Sequence, residues 1–171
     1  YSSTAYSVAK EMSRYTRVYY VDNPVTLKDV LVGFLSRQIK SRLSFFFGKY
    51  SVRNCDSQYP NLFVVTPYPV LPINWLPYSV IYRFLLAIND SIFFRSIKAV
   101  LRKESVRNYV FINSFNPFYN QISPSWFNPK MTIYHCVDDI GQSKYVRKHG
   151  PILEDSLVKS VDLTVVTSTE L

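Results

Sequence analysis

Five short runs of β-branched and aromatic residues alternate with helical patterns along this 171-residue chain, and the alternation predicts an α/β fold. The runs are Arg17–Val21, Leu62–Thr66, Tyr109–Asn113, Thr132–Val137 and Leu163–Thr167. They show little polar alternation, as strands buried on both faces do. With right-handed crossovers, such an order gives a Rossmann-like, doubly wound, mainly parallel sheet with helices on both faces. The chain is 47% hydrophobic and 16% aromatic. At this length that serves one sizeable core and leaves too little for two comfortable domains.

The elements follow in order. Tyr6, Val8, Ala9 and Met12 give the segment Ser3 to Arg14 an apolar side, so a helix opens the chain. A doubly wound layer begins with a strand, so the first strand is expected to be absent from this chain. The start at Tyr1 without a signal-peptide pattern, and the stop at Leu171 directly after a strand-like run, fit a piece of a longer protein. Asp22-Asn23-Pro24 ends the first run, and Thr26-Leu27-Lys28-Asp29 reads as a capping box opening a helix to about Lys40. The stretch Lys40–Asn61 breaks the alternation, with an extra strand at Ser51–Asn54. Residues 78–104 carry apolar groups at 81, 84, 85, 88, 92, 97, 100 and 101, close to a helical period, and Asn89-Asp90 predicts a break or kink there. Ser114–Lys130, rich in Pro, Asn, Ser and aromatics, reads as a long ordered loop. Gly150-Pro151 suits the first turn of a helix ending near Ser160.

Composition excludes several classes. With 14 Tyr and 12 Phe the chain is not disordered. Its richest apolar runs, such as Phe84–Ile88, are far short of a membrane span. Cys55 and Cys136 make neither a disulfide scaffold nor a metal-ligand spacing. The net charge is +8, and residues 1–107 hold the excess, with 15 basic against 6 acidic groups. The densest stretch, Lys28 to Arg53, holds six basic residues against Asp29 alone and interleaves them with Phe45-Phe46-Phe47 and Tyr50. It reads either as a solvated basic face with some Phe in the core, as a contact with an anionic membrane through Arg37, Lys40, Arg42, Phe46 and Lys49, or, less favoured, as a nucleic-acid surface.

In an open parallel sheet, ligands bind beyond the carboxyl ends of the strands. That rule selects Asn23, Thr66 and Asn116 as substrate-binding candidates, joined by Ser2, Ser3 and Thr4 at the first helix N-terminus. The serines serve equally as a plain N-cap. The richest strand end is Tyr134-His135-Cys136-Val137-Asp138-Asp139. A histidine and a carboxylate there can share proton-transfer work, which makes His135, Asp138 and Asp139 the catalytic candidates. The alternative is a hydrogen-bonded core His135, with Asp138 or Asp139 capping the next segment. Other features are weaker. The glycines, Gly33, Gly48, Gly141 and Gly150, form no phosphate loop, and no Gly-x-Ser-x-Gly elbow offers a nucleophile. His149, in Arg147-Lys148-His149-Gly150, reads as a solvated turn, Cys136 as a small buried residue, and Arg95, Lys98 and Arg102 as a wet helix face.

The run Ile133-Tyr134-His135-Cys136-Val137-Asp138-Asp139, the helix containing Leu153-Glu154-Asp155-Ser156-Leu157, and Val161-Asp162-Leu163-Thr164-Val165-Val166-Thr167-Ser168-Thr169-Glu170-Leu171 together resemble bacterial GT-B glycosyltransferases. More narrowly, they are similar to the teichuronic-acid-type members of the retaining family-4 group, which commonly read Tyr-Asp-Cys-Val-Asp-Asp at this strand. Arg17–Pro24 and Asn61–Pro67 with Leu71-Pro72 fit the same group, so the resemblance covers most of the chain. It implies that residues 1–171 are a single N-terminal, acceptor-side domain, and that the donor-binding domain is missing. It implies a hexosyltransferase moving sugar from a nucleotide-sugar donor to a lipid-linked or saccharide acceptor in surface-polysaccharide synthesis. No metal or cofactor beyond the donor is implied, and the place of work is the cytoplasm, at the inner face of the plasma membrane. In several relatives a His at the end of this strand contacts the transferred sugar. His135 falls there, where the narrower group has Asp. Outside the resemblance stands a non-catalytic basic module that binds nucleic acid or anionic membrane. A receiver-like signalling domain is disfavoured, because receivers keep their acidic pair after the first strand.

Overall fold

The computed structural model describes residues 3–35, 51–54, 57–142 and 146–168 of a mixed α/β chain with two small, mostly parallel sheets. All five predicted runs are strands, and so is Ser51–Asn54. They are divided between two three-stranded sheets, where the alternation predicted one. β-Branched runs mark where strands are; which strand pairs with which is a tertiary matter. The chain likewise divides into two compact units, Tyr1–Pro72 with Ile92–Ser105, and Ile73–Ser91 with Val106–Leu171.

The first unit opens with helix α1 (Thr4–Met12), whose N-cap Ser3 accepts a hydrogen bond from Tyr6 N at 3.2 Å. Tyr6 and Ala9 bury against Leu62 and Val64, while Val8 and Met12, expected on the same apolar side, remain exposed. Strand β1 (Val18–Val21) runs parallel to β3 (Leu62–Thr66), and β2 (Ser51–Asn54) adds antiparallel on the other side of β3. The ring of Tyr6 meets Tyr20 late in β1, and Asn61 just before β3 donates to Ser13 O beyond the end of α1. The helix therefore runs antiparallel to both strands, and Ser3 lies at their carboxyl end.

Helix α2 (Leu27–Leu35) begins with the predicted capping box. Asp29 N donates to Thr26 Oγ1 at 3.2 Å, and Thr26 N and Oγ1 donate to Asp29 Oδ2 at 3.1 and 2.7 Å.

Helix α3 (Val80–Lys103) runs unbroken through Asn89-Asp90, against the predicted break. Its residues 80–91 belong to the second unit and 92–103 to the first. Asp90 does not interrupt the helix because its side chain bonds elsewhere. Its carboxylate accepts from Asn120 N at 2.9 Å, Gln121 N at 3.0 Å and Ile122 N at 2.8 Å. With Asn113 Nδ2, which donates to Asn116 O and Tyr119 O, this side chain orders the long loop. At Asn120 the loop enters the left-handed region, φ 72°, which Asn tolerates better than most residues.

Burial pushes the Asp90 carboxyl up to about 6, outweighing the three N–H bonds that pull it down. Between pH 4 and 6 the unfolded carboxyl is ionised while the native one still holds its proton, so stability falls as pH rises through that window. Urea unfolding of the native protein and Asp90→Asn across pH 4–7 is expected to show the native protein losing on the order of 3 kcal/mol relative to the variant. A relative gain over the same window would mean that the N–H bonds dominate.

The second unit holds the all-parallel sheet β4 (Val110–Ser114), β5 (Met131–Cys136) and β6 (Leu163–Val166), with β5 central. Helix α4 (Gly150–Ser160) links β5 to β6, with Pro151 in its first turn as predicted. The register of β6 is clamped at its start: Thr132 N and Oγ1 donate to Asp162 Oδ2, both at 2.7 Å, and Asp162 N donates back to Thr132 Oγ1 at 3.1 Å. These bonds hold the Asp162 carboxyl below its ordinary range. His149 is not in a solvated turn. It is buried, stacked on Tyr82 at 4.2 Å, with Nε2 3.0 Å from Leu76 O. The acceptor there fixes the ring proton on Nε2, and burial lowers the tendency of the ring to take a second one.

Candidate functional site

The pleat of β5 divides the candidate residues between two faces of the second sheet. Tyr134 and Cys136 point to α4, where they pack with Leu157. Tyr134 Oη donates to Glu154 Oε1 at 2.5 Å, and Cys136 Sγ lies 3.7 Å from the same oxygen. Near the carboxyl ends of β5 and β6 this face opens into a cleft of about 500 Å³, lined by Asp138, Asp139, Glu154, Asp155, Thr164 and Val166 among others. Burial, then Glu154, pushes the Tyr134 phenol well above its ordinary range and raises the Cys136 thiol too. The thiol therefore stays protonated and offers no nucleophile.

Asp138 and Asp139 both do local structural work. Asp138 Oδ1 accepts from Asp139 N at 2.9 Å. Asp139 caps the 3-10 turn Ile140–Gln142 through Gly141 N at 2.8 Å and Gln142 Nε2 at 3.1 Å. Position 141 suits glycine, because a Cβ there would come within 3.0 Å of Asp139 Oδ1. Both acids remain exposed on the cleft.

His135 faces the other way. It sits opposite Ser114 in the β4–β5 register, and its Nδ1 lies 2.9 Å from Ser114 Oγ. The pair accommodates either tautomer, and with Nδ1–H donating to the hydroxyl, Nε2 is left as an acceptor. Directly after Ser114 the chain turns through Phe115 at φ 53°, and Phe115 N donates to His135 O at 3.0 Å. A left-handed phenylalanine is strained, and such strain gathers at functional sites. The structure thus joins His135 to Ser114, and places Asp138 and Asp139 on the cleft without a hydrogen bond to His135 among the described residues.

The other candidates fall as follows. Thr66 is the last residue of β3 and Asn23 follows the end of β1 by two residues, at the end where Ser3 and the exposed Thr4 begin α1. Asn116 shapes the long loop, accepting from Phe118 N at 3.2 Å and donating its own N–H to Asn113 Oδ1. Ser2, Arg37, Lys40, Arg42, Phe46 and Lys49 lie outside the described residues. Ser114 and Glu154 were missed. Only the strand register and the docking of α4 bring them to His135 and Tyr134.

No family model, curated protein or solved structure matches this chain. Among the described residues, no three His, Cys, Asp or Glu side chains converge as metal ligands. The available chemistry is an imidazole oriented by a hydroxyl, and a carboxylate-lined cleft at the carboxyl end of parallel strands. Both suit hydrogen bonding to the hydroxyls of a polar substrate.

Proposed function

We propose that this chain is the Rossmann-like, acceptor-side domain of a GT-B glycosyltransferase. The intact enzyme would move a sugar from a nucleotide-sugar donor to a lipid-linked or saccharide acceptor in surface-polysaccharide synthesis. The observation that carries the reading is the His135–Ser114 pair at the carboxyl end of the central strand of a parallel sheet, beside the strained Phe115. With Nδ1–H donating to Ser114 Oγ, Nε2 of His135 can accept from a hydroxyl of the transferred sugar, and that bond strengthens as positive charge grows at the anomeric carbon. Stabilising the departing diphosphate falls to the donor-binding half, which needs a helix N-terminus or basic side chains for it. The basic and aromatic stretch from Lys28 to Arg53 suits a membrane-borne acceptor.

The test is nucleoside-diphosphate release from a panel of nucleotide sugars with lipid-linked acceptors, comparing residues 1–171 with the protein extended by a donor-binding half. The extended protein is expected to turn over and residues 1–171 alone to be inactive, because the charge stabilisation is absent. Comparable turnover by both, or none by the extended protein with any donor, would overturn the reading.

A further inference from the structure

In the second unit, the loop before α3 and the first turns of that helix present large apolar side chains to solvent. Trp75 is 72% exposed, Val80 82%, Ile81 66% and Phe84 66%, with Tyr78 beside them at 45%. Val80, Ile81 and Phe84 share one face by their three- and four-residue spacing, whereas Tyr82 and Leu86 on the opposite face are buried. The start of α3 is therefore apolar on both sides, although only one side meets the core.

Two further observations say what meets the other side. First, the segment that carries it holds no acid, and the exposed charges named with it are cations. No acidic residue occurs between Ser57 and Asn89, Arg83 lies exposed within the apolar turns, and the exposed Arg147 and Lys148 adjoin them. Lys148 Nζ donates to Trp75 O at 2.6 Å, so this positive charge borders the indole-bearing loop. Second, the loop is anchored from beneath. His149 holds Leu76 O through Nε2 and stacks on Tyr82, so the apolar groups are displayed from a fixed base.

We propose that Trp75, Tyr78, Val80, Ile81 and Phe84, with Arg83, Arg147 and Lys148, form a docking surface for an anionic lipid bilayer. Tryptophan and tyrosine take the headgroup level, the aliphatic groups and Phe84 enter the acyl boundary, and the cations meet lipid phosphates. Three exposed cations beside exposed apolar and aromatic side chains favour this occupant, which offers phosphates and an acyl boundary together. The inference is independent of the glycosyltransferase reading and of the basic stretch from Lys28 to Arg53.

The test uses the 171-residue protein and vesicles of phosphatidylcholine, with or without an equal part of phosphatidylglycerol. The two tryptophans are Trp75 and Trp126, so Trp126→Phe leaves Trp75 as sole reporter. Its emission is expected to shift to the blue, and to be quenched by lipids brominated in the acyl chain, with anionic vesicles only. Ile81→Ser/Phe84→Ser is expected to lower vesicle partitioning at least tenfold, and Arg83→Gln about fivefold. Both should keep the native melting temperature, because the side chains removed are exposed. Binding undiminished in the double variant, or an unquenched Trp75 in bound protein, would locate membrane contact elsewhere and overturn the proposal. So would the absence of vesicle binding together with a concentration-dependent dimer that the double variant abolishes, which would make the patch a contact between copies.

Discussion

On the proposed glycosyltransferase reading, His135→Ala in the intact protein is expected to lower kcat ten- to a thousandfold, the order for one lost polar contact made mainly in the transition state. The fold should survive. His135 is half-buried at a strand end, and the bond lost to Ser114 contributes about 1 kcal/mol. Ser114→Ala should give a smaller fall in kcat, since it frees the ring to rotate without removing it. Measuring kcat and the melting temperature on the same samples separates catalysis from structure. A large loss of stability with normal turnover in the remaining folded enzyme would make His135 structural, and would leave Asp138 and Asp139, on the opposite face, as the groups to test next.

Asp90→Ala is expected to destabilise the second unit. It strips the acceptor from three backbone N–H groups of the long loop at once. The Asn120 donor is buried and those of Gln121 and Ile122 are partly so, and a buried donor left without a partner costs roughly 1–3 kcal/mol. Removing the cost of a buried carboxylate offsets part of this at pH 7, so the net loss should be about 3 kcal/mol. For a chain of this length that lowers the melting temperature by roughly 10 °C. Asp90→Asn keeps one acceptor oxygen and should fall between the native protein and Asp90→Ala. Differential scanning calorimetry of the three proteins checks the order. An Asp90→Ala variant as stable as the native protein would mean that water takes over the three bonds, and that the carboxylate does not hold the loop.

The legible parts of this molecule were the local ones. The β-branched runs, the Thr26–Asp29 capping box, the Pro151 first turn and the buried Cys136 are each decided by a few neighbouring residues, and each could be read from them. The candidate site was half legible. His135, Asp138 and Asp139 stand at a strand end, as the position rule requires, but a period-two pleat puts neighbours on opposite faces, and strand ends alone do not say which groups will meet.

What tertiary structure decided was partnership. It split six strands between two sheets, matched Ser114 to His135 by register, brought Glu154 over Tyr134, and drew His149 out of a polar run into a stack with Tyr82. It also kept α3 unbroken through Asn89-Asp90. The Asp90 carboxylate found its three N–H partners some 30 residues further along the chain, and those partners removed the reason for the helix to break. Propensity and capping act over one turn of chain. Pairing, burial and the satisfaction of a buried charge act across the fold, and the same residues answer to them only once the chain has closed on itself.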